Sequence, residues 1–161
     1  MSSYTLPNEW NLWYHSIQSN DWTRKSYQKL ISLKSLFDYQ LILDTFQQNH
    51  YQNGMFFCMK KDVFPTWEDP LNREGSCLSF KIPSNKLIEE WNHLLFHCLN
   101  ETILSEKNID INGISISPKK EFNIIKIWLR DDSIDYKNIL KELKPYFILE
   151  DSLYKKHELE Y

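Results

Sequence analysis

The feature that most constrains the fold of this chain is a pair of β-rich segments separated by a short polar turn. Segments 109–117 (IDINGISIS) and 122–131 (FNIIKIWLRD) are rich in isoleucine, and PKKE lies between them. Branched side chains favour strands, and a polar turn between two such runs favours a hairpin. We therefore predict an antiparallel hairpin that turns at residues 118–121.

The rest of the chain alternates between strand-like and helix-like patterns. Further strands are predicted at 10–17, 55–61, 76–82 and 146–154, and helices at 35–49, 85–104 and 133–146. Ser84 is expected to cap the second helix, whose apolar face includes Trp91, Leu94 and Leu95. Because neighbouring strands are joined by short turns, the predicted class is α+β, an antiparallel sheet with helices on one face.

Length and charge limit the classes of function. A chain of 161 residues fits a single domain over residues 1–161, and its net charge of −3 disfavours a broad phosphate-binding face. With 3 glycines, it has no glycine-rich loop to cradle phosphates. Any nucleotide binding must therefore come from a focused pocket.

The cysteines and the first residues bear on the compartment. Cys58, Cys77 and Cys98 form no CxxC pair, which favours buried thiols in a reducing compartment. The start of the chain has no signal-peptide pattern, and no segment has the length of a membrane span. We expect a cytoplasmic protein that does not bind a membrane. Richness in Asn, Ile and Lys is typical of an AT-rich genome, and a viral protein would act in the host cytoplasm.

Two tryptophans lie in predicted loops rather than in apolar segments. Trp22 is surrounded by polar residues, and Trp67 precedes Glu68 between two prolines. One interpretation is a pair of lids that pack onto the edge of the core, because tryptophan is often mostly buried. The other is a platform that stacks on a base, with a carboxylate that accepts hydrogen bonds from the base edge.

Five segments in order resemble the eukaryotic initiation factor 4E family. They are EWNLWY, NDWTRK, KKDVFPTWEDPLNREG, EEWNHLLFHCLNE and NGISISPKKEFNIIKIW, and together they extend over nearly the whole chain. The resemblance implies a curved antiparallel sheet with about three helices on its convex face and a binding slot in its concave face. It also implies recognition of the 7-methylguanosine cap of messenger RNA, with no reaction and no cofactor.

The resemblance assigns the base-binding residues one by one. Trp22 and Trp67 would sandwich the methylated base, and Glu68 would accept hydrogen bonds from the guanine edge. Trp128 would contact the N7-methyl group, although its place at the end of a strand is equally typical of a core residue. Methylation makes the base cationic, so stacking on an indole should favour it over unmethylated guanine.

The phosphate side departs from the family pattern. Uncharged or acidic residues stand where the family has cations or a tryptophan: Cys77, Leu78, Glu121 and Ile124. The expected phosphate ligands are lysines: Lys119, Lys120, Lys126, Lys155 and Lys156. Solvated surface lysines are the alternative for each of them. We therefore expect either a rearranged lysine set or a variant cap.

The resemblance also implies a partner-binding surface on the convex side. Its expected residues are Tyr4, Leu6, Leu36, Gln40 and Phe96. The partner would be a scaffold protein resembling initiation factor 4G, or a 4E-binding repressor, that docks a helix on a monomer. Gln40 stands where the family has a tryptophan, so the scaffold that is recognised can differ.

Two alternatives stay open. The first is an interaction module or translational repressor on the same fold, with weak or variant-cap binding. The second is a zinc hydrolase that uses His93 and His97, one helical turn apart. Zinc hydrolases with this spacing have a glutamate after the first histidine, and here Leu94 stands there, which disfavours the second alternative.

Overall fold

The computed structural model describes residues 4–104, 111–131 and 143–157. The strands are β1 (Thr5–Ser16), β2 (Gln28–Ser35), β3 (Gly54–Lys60), β4 (Ser76–Pro83), β5 (Ile111–Pro118), β6 (Phe122–Leu129) and β7 (Leu153–Lys156). The α-helices within these ranges are α1 (Leu36–Thr45), α2 (Gln48–Asn53) and α3 (Leu87–Leu99). Within the same ranges, no helix is long and apolar enough to cross a membrane.

All seven strands form one antiparallel sheet in the order β2-β1-β3-β5-β6-β4-β7. The predicted hairpin is confirmed as β5–β6, in which Pro118 pairs with Asn123 and the Lys119 N–H donates to the Phe122 carbonyl (2.8 Å). The predicted α+β class, a curved sheet with about three helices on one face, is also confirmed.

The two faces of the sheet carry cores of different size. The helix face holds the main core, in which Trp10, Phe80 and Trp91 are almost completely buried. The opposite face, which we call the open face, carries a smaller cluster: Phe57, Met59, Val63, Cys77 and Trp128. Because successive side chains of a strand alternate between the faces, β3, β4 and β6 contribute to both clusters.

The helices begin and end differently from the predictions. The Asp38 carboxylate accepts from the backbone N–H groups of Lys34 and Ser35, which stabilises the start of α1. The predicted helix 35–49 ends at Thr45, because Phe46 is extended and packs its ring edge-on against Phe56 (centroids 5.2 Å apart). The prediction of one continuous helix was therefore wrong.

Ser84 does not cap α3. It starts a 3₁₀ turn before the helix, and its hydroxyl donates to the Glu121 carbonyl (3.2 Å). Glu89 and Glu90 in the first turn instead place negative charge at the positive end of the helix dipole. The hydroxyl links α3 to the β5–β6 hairpin.

Two strand assignments also need correction. β2 was not predicted, because only Leu33 of this edge strand is buried and its hydrophobic pattern is weak. The predicted strand 146–154 is replaced by a 3₁₀ turn at Leu149–Asp151 and by β7, which begins at Leu153. The predicted helix 133–146 lies largely outside the described residues.

Candidate functional site

The open face of the sheet forms the floor of the candidate site, and two loops rise beside it. The β1–β2 loop carries Trp22, and the β3–β4 loop carries Trp67 and Glu68. Arg24 of the first loop stacks its guanidinium on the Phe64 ring of the second, 3.9 Å from the centroid. This contact joins the two loops and was not predicted from the sequence.

Trp22 is 55% exposed. One face of its indole lies parallel to the His15 imidazole, with centroids 4.0 Å apart and 1° between the planes. Asp21 shapes the turn before it, because one carboxylate oxygen accepts from both the N–H (2.8 Å) and the hydroxyl (2.6 Å) of Thr23. These hydrogen bonds lower the pKa of Asp21. The geometry holds an indole at the surface with one face already supported.

A buried asparagine holds the loop that carries Trp67. The Asn72 side-chain amide donates to the carbonyls of Phe64 (3.1 Å) and Thr66 (2.8 Å), and its oxygen accepts from Asn112 (2.9 Å). Asn72 is fully buried. Sequence reasoning noted it only as part of a motif, and the structure shows that it fixes the backbone beside Trp67.

Glu68 is exposed, and its negative charge affects titratable groups near Trp22 and near Trp67. Burial raises the pKa of Tyr27, and the Glu68 carboxylate raises it further. The Tyr27 ring lies 6.4 Å from that of Trp22. Glu68 also acts on His157, beside Trp67. The carboxylate is therefore electrostatically close to neighbours of both loop tryptophans.

Trp128 belongs to the floor of the site. Its side chain is 7% exposed, and its indole N–H donates to the Ser115 hydroxyl (3.0 Å). The Phe57 ring packs edge-on against it, with centroids 6.4 Å apart. The placement agrees with the interpretation of Trp128 as a core residue, and its contact with a base stays a prediction.

His157 is a site residue that sequence reasoning missed. Its ring centroid lies 5.5 Å from that of Trp128 and 6.5 Å from that of Trp67. One ring nitrogen, Nδ1, donates to the Asn72 carbonyl (2.8 Å), which leaves Nε2 to accept from the Cys77 thiol (3.2 Å). No sequence signal marks a lone histidine in this way, because only the pairing of β7 with β4 brings it here.

The Cys77–His157 pair is neutral. Burial raises the pKa of the Cys77 thiol to about 12, and burial lowers the pKa of His157. A nucleophilic cysteine needs a thiolate, so this pair lacks the electrostatics of a catalytic dyad. The pair instead forms part of the floor of the site, and its Cys77 stands where the family pattern has a cation.

The sheet register separates the predicted lysines. Cys77 pairs with both Trp128 and Lys155, so these three side chains share the open face, and Lys126 joins them two residues before Trp128. Lys119 and Lys120 lie at the hairpin turn, about 20 Å from Trp128 along β6 at ~3.3 Å per residue.

Lys156 pairs with Ser76 and lies on the opposite face from Cys77, so the register does not bring it to the site. Glu121 is exposed beside the hairpin turn. Ile124 is half-buried, and because it lies two residues before Lys126 on β6, its side chain faces the same side of the sheet as Lys126.

The predicted partner surface is only partly exposed. Tyr4 is 49% exposed and Phe96 38%, whereas Leu36 packs partly against the core. The Gln40 amide donates to Asp44 (3.0 Å). Leu6 is buried in the main core, because the even-numbered residues of β1 face the helices, so its assignment to the surface was wrong.

Two apolar residues of α1 were missed at this surface. Phe37 is 61% exposed and Leu41 is 43% exposed, one helical turn apart. They were overlooked because they lie outside the apolar stripe that marks the buried side of the helix. The Tyr39 hydroxyl donates to the Asn92 carbonyl (3.0 Å) and its ring contacts Phe96, which joins α1 to α3 at this surface.

The two histidines of the hydrolase alternative lie together on α3. The ring centroids of His93 and His97 are 4.9 Å apart. His97 forms a hydrogen bond with the Thr102 hydroxyl (2.7 Å). Among the described residues, no group of three potential metal ligands is present.

Comparison with known proteins identifies the family. The model of the eukaryotic initiation factor 4E family matches residues 5–161. A homolog of this factor from Acanthamoeba polyphaga mimivirus is 24% identical over 140 residues, which cover 73% of this chain and 52% of the relative. The factor of Candida glabrata is 25% identical over 156 residues, covering 92% of this chain and 74% of that protein. The chain thus spans about half the length of the viral relative.

Solved structures share the fold. A complex of C. elegans eIF4E-3 with the 4E-binding protein Mextli and a cap analog has a TM-score of 0.75 at 20% identity, covering 83% of this chain and 78% of that one. Ascaris suum eIF4E-3 with m7G cap has a TM-score of 0.71 at 18% identity, covering 81% and 75%. The family model spans nearly the whole sequence, and this protein therefore belongs to the eukaryotic initiation factor 4E family.

Proposed function

We propose that this protein binds the 7-methylguanosine 5′ cap of messenger RNA and acts in translation initiation. The observation that carries the proposal is the pair of loop tryptophans, Trp22 and Trp67, beside the open face of the sheet, with a Glu68 carboxylate whose charge acts on a neighbour of each. Relatives solved with a cap analog and with m7G cap share the fold. Binding is an equilibrium that involves no chemical step and no cofactor.

Each base-binding residue has a separate role in this proposal. Trp22 and Trp67 stack on the two faces of the methylated base, and its positive charge strengthens the stacking. Glu68 accepts from the adjacent N–H donors of the guanine edge. Trp128 offers an apolar edge to the N7-methyl group, since its own N–H is already bonded to Ser115.

Lys126 and Lys155 are the proposed phosphate ligands. Both share the face of Trp128, and both act electrostatically on His157. A charge-assisted hydrogen bond to a phosphate contributes about 1.5–3 kcal/mol. Two lysines would therefore offset part of the binding free energy that is missing because Cys77 and Glu121 stand where the family has cations. Lys119 and Lys120, at the hairpin turn, would contact only the distal end of an extended cap.

Fluorescence titration tests this function. 7-Methyl-GTP should quench tryptophan emission saturably, and GTP should bind at least about tenfold more weakly because it lacks the cation–π contribution. Glu68→Gln removes the carboxylate, and Glu74→Gln, at an exposed glutamate of the same loop, is the matched control. Equal affinity of the two nucleotides for the folded wild-type protein would contradict cap recognition.

Exposed apolar residues on the convex side of the sheet support the proposal of a protein partner. Tyr4, Phe37 and Phe96 are exposed there, and a relative of the same fold is solved with a 4E-binding protein. We propose a scaffold resembling initiation factor 4G, or a 4E-binding repressor, as the partner of a cytoplasmic monomer. A peptide of that class should bind the wild type and lose affinity for Phe37→Ser.

A second candidate function is a repressor that occupies the scaffold with weak cap binding. Cys77 favours it, because a buried neutral thiol stands where the family has a cation. Peptide binding without quenching by 7-methyl-GTP would identify this function, whereas quenching with selectivity for methylation would exclude it.

A further inference from the structure

His15 is fully buried beneath the exposed tryptophan, and both of its ring nitrogens face backbone carbonyls. Nδ1 lies 2.9 Å from the Ser16 carbonyl oxygen, and Nε2 lies 2.7 Å from the Asp21 carbonyl oxygen. A carbonyl oxygen only accepts hydrogen bonds, and a neutral imidazole has only one N–H. A neutral ring would therefore direct a nitrogen lone pair at one of the two oxygens, whereas an imidazolium satisfies both.

The same ring supports the stacking residue of the proposed cap site. Its plane is parallel to the Trp22 indole at 4.0 Å, and its two acceptors belong to the end of β1 and to the residue directly before Trp22. The His15 side chain thus fixes both the position of the loop backbone and the plane of the Trp22 indole. An indole lying over a cation gains cation–π attraction, which favours the charged ring further.

The surroundings of His15 are compatible with a positive charge. In the loop that covers it, the Asp21 carboxylate interacts favourably with His15 and with Lys25. On the other side, the Tyr27 ring lies 4.8 Å away, and burial raises the pKa of its hydroxyl, so Tyr27 carries no charge near neutral pH. The opposite residue on β3 is the uncharged Met55.

We propose that His15 is a positioning residue for base stacking: its imidazolium form donates to both carbonyls and holds Trp22 ready to receive the base. This inference rests on the proposed cap binding for its consequence, although the protonation of His15 is testable without ligand. When the ring loses a proton, one carbonyl faces a lone pair, and the Trp22 loop loosens. The affinity for a stacked base should then fall, because the loop is less well organised before binding.

The first experiment is NMR of the imidazole ¹⁵N nuclei in the ligand-free protein, between about pH 5.5 and 8. We expect both nitrogens of His15 to be protonated at the acidic end, and the Trp22 indole signal to change as the proton is lost. A single neutral tautomer throughout this range would overturn the proposal. Because the measurement uses the wild-type protein, it needs neither ligand binding nor a variant that folds.

The second experiment compares the wild type with His15→Phe in titrations with 7-methyl-GTP. Phenylalanine keeps a flat ring beneath Trp22 but has no N–H, and thermal unfolding checks that the variant folds. We expect affinity roughly five- to tenfold weaker than wild type at about pH 6, with a ratio approaching one at about pH 8. The titration of the ligand itself is common to both proteins and cancels in this ratio.

The outcomes separate the two proposals. A ratio that does not change with pH would reduce His15 to a packing residue and overturn this inference while leaving cap binding intact. Absence of quenching in the wild type at every pH would contradict the proposed function, and the NMR titration would still decide the protonation of His15.

Discussion

Replacing the buried amide of Asn72 should both destabilise the protein and weaken ligand binding. Its side chain donates to the carbonyls of Phe64 and Thr66, directly before Trp67, and accepts from Asn112. Asn72→Ala removes all three hydrogen bonds. Asn112 keeps its second acceptor, the Leu71 carbonyl (2.7 Å).

The magnitude follows from the number of hydrogen bonds lost, each of which contributes about 1 kcal/mol net. Both loop carbonyls keep a backbone donor, because the Thr66 N–H donates to the Phe64 carbonyl (2.8 Å) and the Asp69 N–H donates to the Thr66 carbonyl (3.2 Å). The loss of the three Asn72 side-chain hydrogen bonds should therefore lower the free energy of unfolding by about 3 kcal/mol. For a domain of this size that corresponds to a decrease in Tm of about 6–12 °C. The total stability of such a domain is ~5–15 kcal/mol, so the variant should still fold.

Differential scanning calorimetry measures the stability, and fluorescence titration with 7-methyl-GTP measures the binding. The matched control is Asn53→Ala, which removes one exposed hydrogen bond to the Asn49 carbonyl and should cost less than about 1 kcal/mol. We also expect roughly tenfold weaker binding by Asn72→Ala, because the backbone beside Trp67 and Glu68 is no longer held. If the two variants had the same Tm, the proposal that Asn72 holds the backbone of the Trp67 loop would be refuted.

Three further predictions concern the charges of the site. Glu68→Gln should weaken 7-methyl-GTP binding at least about tenfold, since a charge-assisted pair of hydrogen bonds becomes neutral, and Glu74→Gln should have no effect in the same titration. Lys126→Ala should weaken binding of 7-methyl-GTP more than that of 7-methylguanosine, whereas Lys119→Ala should change neither by more than about twofold; equal effects of the two variants would contradict the register argument. Burial raises the pKa of Cys77 to about 12 from an ordinary value of 9.0, so its contribution to stability is present below pH 9 and is lost as the pH rises towards 12. At pH 8 the Cys77 thiol should resist alkylation in the folded protein and react on unfolding; rapid alkylation of the native protein would contradict its burial.

Local pattern in the sequence was enough for the elements whose side chains are strongly periodic. The β5–β6 hairpin and α3 were both predicted, because each buries a regular set of apolar residues that its own segment displays. Trp22, Trp67 and Glu68 were singled out because tryptophan in a polar loop conflicts with its usual burial. Their roles remain predictions that the titrations above test.

Edge strands and helix ends could not be predicted from local pattern, because they depend on contacts between distant segments. β2 buries only Leu33, so its segment carries too little pattern to predict a strand, and its pairing with β1 is a long-range contact. Phe46 ends α1 because its ring is drawn into the core against Phe56, a contact that no local window contains. Leu6 was assigned to the surface although strand alternation buries it beside the helices.

The sequence by itself determined the class of fold and singled out the candidate base-binding residues, since periodicity and residue type are local properties. The tertiary structure decided which of these residues meet. The pairing of β7 with β4 brought His157 to Trp128 and placed Lys155 and Lys156 on opposite faces. Folding of the β1–β2 loop placed His15 between two carbonyls beneath Trp22. Such contacts join residues through strand register and loop closure, and the identity of single residues does not encode them.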